Sequence, residues 1–154
     1  MVRNAIARRA ASLAGLLLIA TSAVAAEKPP VNAGSRGELA VKGYDVVAYA
    51  VDGKPVRGAA EYEHRWNGAI WRFATAEHRD LFAKAPERYA PQFGGYCAWA
   101  VSRGYTADID PEAWRIVDGK LYLNYSKRVQ KMWEQDVPGN IAKGVANWPA
   151  VLKK

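Results

Sequence analysis

Asn67-Gly68, set between two aromatic runs that alternate in polarity, is the feature that leaves this chain the fewest options. Such a pair calls for a two-residue turn of the primed type, with both residues at positive φ, and that turn sets the pairing of the strands beside it. Trp66 is then expected opposite Ala69, His64 opposite Trp71 and Tyr62 opposite Phe73 on one face. Arg65 opposite Ile70 and Glu63 opposite Arg72 make the other. The aromatic face is expected to turn inward, and the Glu63–Arg72 pair marks the wet one. His64 is thereby placed among aromatic rings.

Around this hairpin the remaining elements follow from turn and cap residues. Gly43 to Val51 is β-rich and ends at Asp52-Gly53, which predicts a strand or a short hairpin returning through Pro55 and Val56. Thr75 caps a helix with Glu77 in its first turn and Leu81 and Phe82 as apolar anchors, and Pro86 ends it. Glu87 to Ala90 adds a turn before Pro91. The paired glycines Gly94 and Gly95 permit close backbone approach. A second hairpin is expected from Trp114 to Leu123 around Asp118-Gly119, then a helix from Ser126 through Trp133, a break at Pro138-Gly139 and a last helix over 140–147. No internal repeat or low-complexity tract is apparent. The expectation is a small α+β domain of short antiparallel strands with peripheral helices.

The first 26 residues read as a targeting signal. Arg3, Arg8 and Arg9 precede an apolar stretch over 10–20, and Ala23-Val24-Ala25 forms an A-x-A cleavage site before Ala26. Ala10, Ala11 and Ser12 follow the arginine pair where twin-arginine export wants a bulky apolar residue, so the general secretory route to the periplasm is expected. The apolar stretch is shorter than the 18 or so residues a membrane anchor needs, and no cysteine lies near the cleavage site for lipid attachment. Residues 27–38 read as a flexible arm, 39–150 as the folded domain and 151–154 as a tail.

Without the leader and its three arginines, 128 residues remain, with 19 Lys plus Arg against 15 Asp plus Glu, a net charge of +4. That length suits one domain with one core. The positive charges are interleaved with acids rather than clustered, so no stripe for nucleic acid is drawn. One cysteine cannot make an internal disulfide, and six Trp, eight Tyr and three Phe must supply the stability by burial.

Reactive chemistry is confined to His64, His78 and Cys97, which lie within 34 positions of a chain without another His or Cys. A thiolate with one or two imidazoles suits copper or zinc, and three ligands leave an open position fit for exchange or delivery. Against this, cysteine is among the residues most often buried as a small apolar group. A second reading makes Cys97 a reactive thiol, although no local motif supplies a base. A third is a small-ligand or protein-binding module in which Tyr96, Trp99, Tyr105, Trp114 and Tyr125 line a cleft, with Arg103 beside it. Enzymatic activity has the least support. Asp108, Asp110 and Glu112 lack the glycine and distal glutamate of a calcium loop, and there is no nucleophile elbow, zinc-protease helix or phosphate loop.

The stretch from Tyr62 through Tyr89 resembles the YHS domain: a strand, Asn-Gly, an aromatic strand ending at Phe73, a helix containing Phe82, then Pro86-Glu87-Arg88-Tyr89. From Gly43-Tyr44-Asp45 to Trp148-Pro149 the chain is similar to the exported, single-domain YHS proteins of proteobacteria. Cysteine-rich YHS domains and the related TRASH modules are thought to sense or carry metals. Where those members have cysteines this chain has Ala48 and Ala74, and His78 stands at the third position. The resemblance therefore implies an exported binding module, with a metal site only if Cys97 joins His64 or His78.

Overall fold

The computed structural model describes residues 26–34 and 38–154, so the expected leader lies outside the described residues except for Ala26. At the first hairpin, Asn67 and Gly68 take φ of 49° and 78°, as the primed turn requires. They join β1 (Ala59–Trp66) to β2 (Ala69–Phe73). Trp66 pairs with Ala69, Arg65 with Ile70, His64 with Trp71 and Glu63 with Arg72. The expected Tyr62–Phe73 pair does not form, because a bulge lets Phe73 pair with Ala59 instead. Ala69, Trp71 and Phe73 are buried, and the Arg72 Nε to Glu63 Oε1 distance is 2.8 Å on the outer face.

The stretch expected as a strand before this hairpin is helical. A 3-10 turn, Ala40–Gly43, leads into α1 (Val46–Val51). Two causes override the β preference of its valines. Asp45 Oδ1 accepts the N–H groups of Val47 at 2.9 Å and Ala48 at 3.2 Å, an N-cap that starts a helix. Val46, Val47, Ala48 and Tyr49 are also all buried, so the apolar run reports burial on every side rather than a pleated face.

Helix α2 (Ala76–Lys84) starts at Thr75, whose hydroxyl accepts the His78 N–H, and α3 (Pro86–Tyr89) follows Ala85. A second 3-10 turn, Gln92–Gly95, leads into α4 (Ala98–Ser102). Strands β3 (Asp110–Val117) and β4 (Lys120–Asn124) form the second hairpin, α5 (Lys127–Glu134) starts at Ser126, and α6 (Val137–Asn147) precedes a closing turn, Ala150–Lys153. Among the described residues the fold is α+β, with six helices and two separate two-stranded antiparallel sheets.

This element order is one unit written twice, which reverses the expectation that the chain has no repeat. Each copy runs 3-10 turn, short helix, β-hairpin, capped helix, then a further helix. Val41 and Lys42 stand at φ 49° and 52°, and Phe93 and Gly94 repeat this at 56° and 60°. Tyr44 donates its N–H to Val41 O, and Tyr96 donates to Phe93 O, both at 3.0 Å. Asn67-Gly68 recurs as Asp118-Gly119, the bulge between Ala59 and Glu63 as that between Asp110 and Trp114, and the Thr75 cap as Ser126. Phe82 and Trp133, both fully buried, hold equivalent places in α2 and α5. The offset is 52 residues from Asp45 to Cys97 and 51 from Thr75 to Ser126. One core cluster joins Val46, Trp71 and Phe82 of the first copy to Cys97, Leu121 and Leu123 of the second, so the copies form one body.

The arm and tail, expected to be loosely held, are bonded to this body. Lys28 donates its N–H to Leu152 O and Asn32 donates to Gly94 O, both at 2.8 Å. Val31, Val151 and Leu152 are buried. Apolar side chains on both segments explain why they dock despite their glycines and prolines.

Candidate functional site

The repeat sets Asp45 and Cys97 in matching surroundings. Asp45 is fully buried and directs four donors at one carboxylate. Besides the two cap bonds, Oδ2 accepts the Ala74 N–H at 2.8 Å and stands 2.7 Å from His78 Nδ1. Three backbone N–H groups and one imidazole thus converge on the side chain, an arrangement suited to an anion.

Cys97, 1% exposed, heads α4 as Asp45 heads α1. Unlike Asp45 it makes no side-chain cap bond, although the backbone N–H groups of Ala100, Tyr125 and Trp99, the counterparts of Ala48, Ala74 and Val47, lie near its sulfur. Burial pushes the thiol above its ordinary pKa, and these three N–H groups only partly offset it. Asn124, fully buried where the first copy has Phe73, accepts the Trp99 N–H at 3.1 Å and lies 3.7 Å from the sulfur through the same oxygen. At the place of His78 the second copy has Val129, which offers no donor.

Beside Cys97 lies an open cavity of about 260 Å³. Trp99, Ala100, Tyr105, Ala107, Tyr125 and Val129 complete its lining. Tyr105 and Tyr125 remain 49% and 58% exposed, an unusual display of large aromatic side chains around one opening. Arg103 stacks on the Trp99 ring with its guanidinium carbon 4.0 Å from the centroid, placing a cation near the aromatic group.

The other residues singled out in the sequence lie elsewhere. His64 is half-buried with its ring edge-on to Phe82 at 6.0 Å. Tyr96 donates its hydroxyl to Pro29 O at 3.0 Å, and Trp114 packs against Tyr49 at 5.2 Å. His78 is held by Asp45. Among the described residues no three His, Cys, Asp or Glu side chains are grouped to hold an ion. Cys97, His64 and His78 are not brought together in such a group. Asp108 binds Lys42 at 3.1 Å, and Asp110 accepts the Glu112 N–H at 2.9 Å, so both serve local structure.

Sequence reasoning missed Asp45, Asn124 and Val129. The signal was present in two short words, Lys42-Gly43-Tyr44-Asp45 and Gly94-Gly95-Tyr96-Cys97, each followed by a hairpin turn and a Thr or Ser cap. No family model matches this chain, and no curated protein or solved structure matches it.

Proposed function

We propose that this chain is an exported, YHS-like module that binds a small, largely apolar ring in the cavity over Cys97. The observation that carries this reading is the cavity itself: about 260 Å³, walled by Trp99, Tyr105 and Tyr125, with a buried thiol at its floor. A cavity of about 150 Å³ suffices for benzene in an apolar protein interior, so this one has room for a ring and a substituent. Aromatic walls with few polar groups are the usual composition of small-molecule sites. Periplasmic localisation rests on the leader, and a protein partner is not needed for the reading.

The reading is tested by titrating the mature protein with benzene, phenol and indole while recording amide shifts and thermal stability. Shifts at Ala100, Tyr125 and Val129 with a raised melting temperature are expected, and Ala107→Phe should abolish both by filling the cavity. Absence of any response at millimolar ligand would retire it.

A further inference from the structure

The repeat narrows the class of ring, and the narrowing rests on the reading just given. Four residues that line the cavity, Cys97, Ala100, Tyr125 and Val129, are the counterparts of Asp45, Ala48, Ala74 and His78. In the first copy the side chain heading the short helix receives three backbone N–H groups and a ring nitrogen, His78 Nδ1, at 2.7 Å. In the second copy Cys97 caps no backbone N–H, its sulfur lies 3.7 Å from Asn124 Oδ1, and Val129 stands where the ring was. Part of the space by that missing ring is the cavity, open and bordered by aromatic walls.

We infer that the cavity takes an N–H-bearing heteroaromatic ring of the imidazole class, seated as the His78 ring is seated in the first copy and donating its N–H to the Cys97 sulfur. The ligand supplies from outside what His78 supplies from within. A hydrocarbon ring fills the same walls but leaves the sulfur without that donor. Beside the thiol, Asn124 Nδ2 is fully buried and has no hydrogen-bond partner among the described residues. Its oxygen is already fixed by the Trp99 N–H, so the amide cannot turn to relieve this.

The probes are 4-methylimidazole, 1-methylimidazole and benzene, titrated into the mature chain at about pH 8.5, where both imidazoles are neutral. Only the first then carries an N–H. Affinity is read from the amide shifts of Ala100, Tyr125 and Val129. The expected result is that 4-methylimidazole binds at least about threefold more tightly than either other ring, the worth of one weak hydrogen bond to a buried thiol sulfur. Val129→His, which places an imidazole on the chain itself, should abolish binding. Should that variant fail to fold, Ala107→Phe tests occupancy of the same space. Equal binding of all three rings overturns the ligand class and leaves the cavity reading standing. No binding by any of them overturns both.

Discussion

Asp45 illustrates how much one side chain can organise. It caps α1, ties that helix to the end of β2 through the Ala74 N–H and orients His78 in α2. Asp45→Ala leaves three backbone donors and a buried imidazole unmatched, and a loss of about 3–5 kcal/mol is expected in urea unfolding. Asp45→Asn keeps an acceptor for the cap and should lose less. Tyr49 donates its hydroxyl to Pro111 O at 2.9 Å, and burial, reinforced by Glu112, raises its pKa well above the ordinary tyrosine value. Burial raises Cys97, Tyr96 and Tyr122 as well. Each is neutral below its unfolded pKa, so its ionisation costs the folded state nothing there. Above that value the unfolded chain releases the proton first, and stability falls as pH rises. The expected outcome is a decline from about pH 8.5 that steepens above about pH 10. Cys97→Ser should remove the early part and Tyr49→Phe should shallow the later one, at a cost of about 1–2 kcal/mol near neutrality. At this scale Trp99, Tyr105 and Cys97, which line the cavity, were legible as candidates because their chemistry is intrinsic. Asp45 and Val129 were not, because their roles depend on groups 33 positions away or on comparison with the other copy.

Among the elements, both hairpins could be read from their turn pairs, and α2 and α5 from their caps, since these signals act within a few residues. Helix α1 was misread because Val-Val-Ala-Tyr-Ala-Val alone favours a strand. Burial on all sides and the Asp45 cap decide otherwise. The two copies also make a direct test of equivalence. Cys97→Asp places a buried carboxylate at the head of α4 without the imidazole that accompanies Asp45, and should destabilise the fold. Adding Val129→His should recover a substantial part, with a coupling of about 1–3 kcal/mol in a double-mutant cycle. Additive effects would show that the two sites are not interchangeable. Gly94 gives a sharper local test. At φ 60° it lies so close to Pro30 O that a Cβ would collide with that backbone atom. Gly94→Ala should therefore release the arm, detected as faster proteolysis within residues 27–34, with a loss of about 2 kcal/mol or more.

In the whole molecule the fold class was accessible from the pattern of turns and caps, whereas the doubling was hidden. Few residues are identical between the copies, and the kinship lies in positive-φ turns, bulges and caps that a residue-by-residue reading passes over. The metal reading turns on whether His64, His78 and Cys97 can converge, a property of packing rather than of spacing. Anaerobic titration with Cu(I) against a competing chelator should show no tight one-to-one complex, and Cys97→Ser should leave the curve unchanged. A tight complex lost in that variant would require a rearrangement that frees His78 from Asp45. The unequal fate of the two copies has a further consequence. A protein assembled from two identical units would offer a pair of equal vacancies and the means to make them cooperate. Here one is stoppered by the chain's own histidine, and saturation should follow a simple hyperbola with one equivalent of ligand per molecule.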